Sequence, residues 1–151
     1  MMNSKITPFI WLKTGADEAA EFYTSVFKNS KLGKIVRMGP GGPVLTASCV
    51  IEDVNFTFLN NANCDPTDAI SFVVHCKTQE EVDYYWNAFL AGGQELACGW
   101  LRDKYNIAWQ IIPDQLITLM QHPEPAKAQQ VMQAMLGMKK IIIADLEKAA
   151  S

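Results

Sequence analysis

Hydrophobic and polar positions alternate and regroup along the chain in a way that predicts its elements in turn. Residues 6–13 are apolar and rich in β-formers, and Pro8 suits an edge strand or a strand's start. Gly15 breaks that run. Over 17–27 the apolar residues Ala20, Phe22, Tyr23, Val26 and Phe27 fall at helical spacing, which predicts an amphipathic helix ending at Asn29 or Ser30. Strands are then expected at 31–38, 44–51 and 54–60. Gly39-Pro40-Gly41-Gly42-Pro43 turns between the first two, and Glu52-Asp53 between the last two. In the third strand Val54, Phe56 and Phe58 share one face, and Asn55, Thr57 and Leu59 the other. The order so far is β-α-β-β-β.

After a polar linker at 61–68 the pattern starts again. Residues 69–76 read as an apolar strand, and Thr78 with Glu81 has capping-box spacing. Val82, Tyr85, Trp86, Phe89 and Leu90 form the stripe of the helix that follows, which Gly92-Gly93 stop. Short strands are expected at 94–97, 99–103 and 107–113. The last two turn through Lys104-Tyr105-Asn106, where Asn tolerates the left-handed conformation. The same order therefore occurs twice, roughly 65 residues apart, as in a duplicated module. Helices are expected at 125–135, with Pro in the first turn, and at 138–149, although Ile141-Ile142-Ile143 also suits a strand. The expected organisation is one α+β domain over 1–151. Module one occupies 5–61, module two 68–114 and a C-terminal helical segment 123–151.

Composition narrows the function classes. The 151 residues are 49% hydrophobic and 19% charged, too apolar for a disordered chain, and no apolar run is long enough to span a membrane. A net charge of −3 argues against nucleic acid as a partner. Met1-Met2-Asn3-Ser4-Lys5 lacks the apolar region of a secretory leader. The cysteines, at 49, 64, 76 and 98, form no C-x-x-C pair and read as reduced thiols of a cytoplasmic protein, three of them in strands or strand ends.

The double β-α-β-β-β module resembles the vicinal oxygen chelate superfamily, which includes glyoxalase I, bleomycin-resistance proteins and extradiol dioxygenases. Four stretches resemble the small bacterial proteins of the 3-demethylubiquinone 3-methyltransferase-like family. They are Glu18-Ala19-Ala20-Glu21-Phe22-Tyr23, Ser71-Phe72-Val73-Val74 with Thr78-Gln79-Glu80-Glu81-Val82-Asp83, Gly99-Trp100-Leu101-Arg102-Asp103, and Trp109-Gln110-Ile111-Ile112-Pro113. The resemblance runs over nearly the whole chain, C-terminal helices included. It implies tandem modules forming a glyoxalase/bleomycin-resistance-type curved mixed sheet around a U-shaped cavity, and a homodimer. Metalloenzymes of the superfamily carry one His, Gln or Glu on the first and last strand of each module. Here those positions fall at Thr7, at Thr57 or Leu59, at Ile70 and at Gln110. Gln110 alone is a plausible ligand, so neither metal nor cofactor is expected. His75 lies an odd number of residues from Ile70 and is expected to point away from the cavity, and His122, before Pro123, reads as a surface residue. Methyl transfer is disfavoured, because Gly39 to Gly42 lead into Pro43 and a strand rather than into a helix that could cradle a cofactor.

Alternation extends the cavity face to Thr7, Phe9 and Trp11, to Thr57 and Leu59, to Phe72 and Val74, and to Ala108, Gln110 and Ile112. The expected ligand-binding set is Thr7, Phe9, Trp11, Thr57, Leu59, Phe72, Trp100 and Gln110, with Trp11 and Gln110 lining one cavity. The alternative is that these residues fill a packed core. Trp100 could border the pocket or pack under the helices, and Arg102 could pair with Asp103 or bind an acidic ligand. No carboxylate pair or nucleophile–base set converges on this face, so no catalytic residue is assigned. The favoured reading is a metal-free small-molecule-binding dimer with an apolar, aromatic cavity. An enzyme acting on a small planar metabolite and a structural dimer with a vestigial pocket stay open beside it. The first strand and the 138–146 stripe offer apolar surface for such a dimer.

Overall fold

The polar linker marks a real division of the chain. The computed structural model describes residues 4–151 and separates one unit ending at Pro66 from another beginning at Thr67, each built on one β-α-β-β-β module. Residues 1–3, which open the segment read for a leader, lie outside the described residues.

The first unit runs β1 (Phe9–Trp11), α1 (Ala16–Val26), β2 (Ser30–Arg37), β3 (Val44–Ile51) and β4 (Val54–Leu59). Its sheet has the order β1-β4-β3-β2, with β1 parallel to β4 and the other pairs antiparallel. Period-two alternation sends Ala47, Cys49, Phe56 and Phe58 to a buried side, where the Tyr23 ring of α1 lies 5.5 Å from that of Phe58. The start of α1 explains a detail of the sequence. Gly15, at φ 85, has no side chain with which to cap the helix. Asn60 does it instead, its Oδ1 accepting the Ala16 N–H at 2.9 Å while its Nδ2 donates to the Val44 carbonyl at 3.0 Å. Gly39 to Gly42 form the expected hairpin turn, closed by the Met38 N–H on the Pro43 carbonyl at 2.9 Å.

The second unit runs β5 (Phe72–Cys76), α2 (Gln79–Leu90), β6 (Gln94–Glu95), β7 (Trp100–Arg102), β8 (Ala108–Pro113), α3 (Asp114–Met120), α4 (Pro125–Leu136) and α5 (Ile143–Ala150). The sheet order is β5-β8-β7-β6, with β5 parallel to β8. Thr78 caps α2, its Oγ1 accepting the Glu81 N–H at 3.1 Å. On the α2 side of the sheet Trp109 stacks on Phe89 at 4.6 Å between centroids and meets Phe72 at 5.4 Å. Asp103, 3% exposed, accepts hydrogen bonds from the Tyr105 and Ile107 N–H groups and from the Trp109 indole at 2.9 Å. Asn106 takes φ 67 in the turn between β7 and β8, as expected.

Two departures from expectation concern the C-terminal segment. Helix α3 was not expected, although Leu116, Leu119 and Met120 have helical spacing directly after Pro113. The last helix begins at Ile143 rather than at 138. The Met138 and Lys139 carbonyls accept the Cys98 and Gly99 N–H groups at 2.8 and 2.7 Å and so are engaged outside any helical ladder. The 138–146 stripe is therefore not a surface for a dimer. Ile141 and Leu146 are fully buried in a cluster with Ile112, Leu116, Val131 and Ala150.

Candidate functional site

The face of the second sheet away from Trp109 carries the site. Register sets Val73 opposite Gln110, Gln110 opposite Trp100, and His75 opposite Ile112, so these five side chains share one face in two adjacent rows. With Cys98 they form the floor of a pocket of about 500 Å³. Leu116, Ile117, Met120 and Gln121, from α3 and the residue after it, and Met135 of α4 form its wall. Among these described lining residues there is no Asp, Glu, Lys or Arg. The polar side chains in the lining are an imidazole, an indole, a thiol and two amides.

Gln110 is held in place. Its Nε2 donates to Ser71 Oγ at 2.9 Å, which turns its carbonyl oxygen to the free side of the amide. Arg102, two residues along β7 from Trp100, is taken by a bidentate pair, its Nε donating to Asp68 Oδ1 at 2.8 Å and its Nη2 to Oδ2. That guanidinium holds the Asp68 carboxyl below the usual carboxylate range. Arg102 does not pair with Asp103, which is engaged with Trp109; its partner is Asp68. Burial pushes the Cys49 and Cys76 thiols up to about 12, which leaves them protonated and inert at neutral pH.

The expected site residues divide between the two units. Phe9 and Trp11 pair in register with Thr57 and Leu59 on the open face of the first sheet, as alternation required; Phe9 is mostly exposed, and Trp11 is partly exposed with its indole donating to the Asn60 carbonyl at 3.1 Å. Thr7, just before β1, is exposed too. Trp100 and Gln110 lie in the second-unit pocket, so Trp11 and Gln110 stand on separate units. Phe72 and Val74 are corrections. They lie in register with Trp109 and Ile111, on the side packed against α2, and Phe72 is in ring contact with Trp109. The residues of β5 that face the pocket are Val73 and His75, the reverse of the parity inferred from Ile70, which is 68% exposed before the strand begins. Alternation separated His75 from Phe72 and Val74 as expected, but which of the two faces packs against α2 was not legible from it. Ser71, Cys98 and the α3 residues were also missed; for α3 the i, i+3, i+4 spacing was available. His122 sits in a loop, its Nδ1 accepting the Glu124 N–H at 3.0 Å.

The metal implied by the superfamily can be tested against this donor set. No cluster of three or more His, Cys, Asp or Glu residues able to hold an ion occurs among the described residues. Beside the Gln110 amide, itself engaged by the Ser71 hydroxyl, the described pocket lining holds one imidazole and one thiol, those of His75 and Cys98, and no carboxylate. These residues do not fit a divalent centre, which needs three or four ligands.

The family described as 3-demethylubiquinone-9 3-methyltransferase matches residues 4–112. The family match therefore stops within β8 and does not include the C-terminal helices, contrary to the expectation that the resemblance would extend over them. A Bacillus cereus PhnB protein carrying the same 3-demethylubiquinone-9 3-methyltransferase description is 33% identical, with a TM-score of 0.66 over 73% of this chain and 99% of that one. A Pseudomonas aeruginosa protein shares the fold at 16% identity and TM-score 0.63, over 74% of this chain and 98% of that one. The fosfomycin resistance protein FosX from Mesorhizobium loti shares it at 9% identity and TM-score 0.56, over 74% and 91%. No curated protein matches the chain.

Proposed function

We propose that this chain, which belongs to the 3-demethylubiquinone-9 3-methyltransferase family and has the vicinal oxygen chelate fold, binds a small neutral planar molecule in the pocket of its second unit. The observation that carries the reading is the seating of Trp100 beside a Gln110 amide already fixed by Ser71, in a cavity of about 500 Å³ with no charged lining residue. A flat ring lying against Trp100 gains roughly 0.5–1.5 kcal/mol beyond burial, and a hydrogen bond to the Gln110 carbonyl about 1. An anion or a cation would lose its hydration there with no counter-charge in the lining.

Family membership does not supply methyl transfer to this reading. The glycine-rich stretch is a hairpin turn, and no acidic lining residue is present to hold the ribose of a nucleoside cofactor. The test is a thermal-shift and fluorescence titration with 1-naphthol, a neutral bicyclic ring with one O–H donor. Saturation at 100 times the dissociation constant should add about 2.7 kcal/mol of stability. Gln110→Ala should weaken binding about fivefold. Failure of the wild-type protein to bind 1-naphthol at millimolar concentration would defeat the reading.

A homodimer is part of the same proposal. Phe9 at 59% exposure, Val36 at 46% and Trp11 at 40% leave the first sheet an apolar open face of a kind that a second copy covers. Sedimentation at micromolar concentration should give twice the chain mass. Trp11 and Phe9 are also kept as ligand-lining candidates of that face, and Trp11→Ala tests them in the same titration.

A further inference from the structure

We propose that the helical segment beyond residue 112 is the specificity element of the second-unit pocket: a fixed wall, added by this chain to the family's sheet, that sets the size of ligand admitted. This rests on the reading that the pocket binds a small molecule. The first observation is the division of labour within the pocket. The family match ends at residue 112, and 99% of the Bacillus protein is covered by 73% of this chain. The floor residues Trp100 and Gln110 lie inside that match. Ile117, Met120 and Met135 of the wall lie outside it. The wall is thus the part of the pocket that the family match does not cover.

The second observation is that the segment is tied down at both ends, unlike a hinged flap. The Gln79 side chain on α2 grips the chain just before α5, its Nε2 donating to the Ile141 carbonyl at 3.1 Å and its Oε1 accepting the Ile143 N–H at 2.8 Å. Lys140 pairs with Asp83 at 2.9 Å. The Cys98 and Gly99 N–H groups hold the Met138 and Lys139 carbonyls, and Gln115 of α3 donates to the Lys77 carbonyl at 2.9 Å. Ile112 of the sheet enters the same buried cluster as Leu116, Val131 and Leu146. A wall held this way is ordered before any ligand arrives, so its shape selects among ligands.

The third observation is the chemistry of that wall. Isoleucine and two methionines present an uncharged, polarizable surface opposite Trp100, Gln110 and His75. The ligand that fits has a flat apolar body against the wall and one donor edge at the Gln110 carbonyl. The length of the body is limited by Met120 and Met135.

The experiment compares 1-naphthol with the larger 1-hydroxypyrene on the full chain. Ile117→Trp fills the pocket from a position that is 41% exposed and so tolerates the change, and it should weaken 1-naphthol at least tenfold with an unchanged melting temperature. Met120→Ala enlarges the pocket and should shift preference toward 1-hydroxypyrene at least fivefold. Hydrogen exchange of peptides from 114–136 should be as slow without probe as with it. The inference is overturned if wild-type protein binds 1-naphthol, Gln110→Ala weakens it, and both wall variants leave the two affinities unchanged. It is also overturned if 114–136 exchanges freely until probe is added. Should wild-type protein bind neither probe, the binding reading itself fails and this inference falls with it.

Discussion

Gln110 donates its side-chain amide to the hydroxyl of Ser71 at 2.9 Å, joining the closing strand of the second module to the residue just before its opening strand. A glutamine side chain free to rotate would present nitrogen and oxygen to the pocket alternately. This one is anchored through its amide to the Ser71 hydroxyl, which makes Ser71 a positioning residue for Gln110.

Ser71→Ala should therefore weaken 1-naphthol about three- to tenfold and cost at most about 1 kcal/mol of stability, the usual net worth of a part-buried neutral hydrogen bond. Ser71→Thr should restore the affinity. Titrations of both variants beside wild type check this, and equal affinity in all three would remove Ser71 from the site.

Asp103 is a structural carboxylate rather than an acid available for chemistry. Its oxygens are filled by the Tyr105 and Ile107 N–H groups and by the Trp109 indole. Asp103→Ala leaves those donors without a partner in a buried place and should cost about 3 kcal/mol or more, read by urea denaturation. Trp109→Phe, which removes only one donor and keeps the ring on Phe89, should cost distinctly less.

Gly99 is required by geometry. It takes φ +82, and a Cβ there would lie 3.0 Å from both Ile112 Cδ1 and Ile141 Cγ1 and 3.1 Å from the Ile111 carbonyl oxygen. Gly99→Ala combines left-handed strain with overpacking where the C-terminal segment meets β8. About 2–4 kcal/mol of destabilisation is expected, with faster hydrogen exchange over 138–150.

Acid should loosen the second unit. The Asp83 carboxyl is held below its usual range by Lys140 first and by Gln79 second, and that of Asp68 by Arg102. Folded values below the unfolded one mean that each carboxylate's stabilisation is complete above about pH 4 and is lost as pH falls through the folded value. Both pairs are partly exposed, so the effect is modest. Stability measured from pH 6 to pH 2 should fall more steeply in wild type than in the Asp68→Asn, Asp83→Asn double variant.

The repeat of β-α-β-β-β was legible in the amino-acid sequence because period-two and period-3.6 patterns are local, and Gly and Pro punctuate them. The faces of β4 and β8 followed from the same rule, and so did the pairing of Phe9 and Trp11 with Thr57 and Leu59 on one side of the first sheet. Alternation gives the two faces of a strand but not which of them meets the helix. For β5 that was decided by Trp109 and Phe89 across the sheet, which drew Phe72 to the packed side and left His75 in the pocket. The C-terminal segment shows the same limit. Ile141 to Ile143 suit helix or strand equally by propensity. What ended the ambiguity was the Gln79 amide and the Cys98 and Gly99 N–H groups, 40 or more residues away in the chain, which engage the Met138, Lys139 and Ile141 carbonyls outside a helix and cap α5 at Ile143. Local pattern thus determined the elements of both modules and the two faces of each strand, whereas long-range hydrogen bonds and aromatic packing decided which faces became core and which became site.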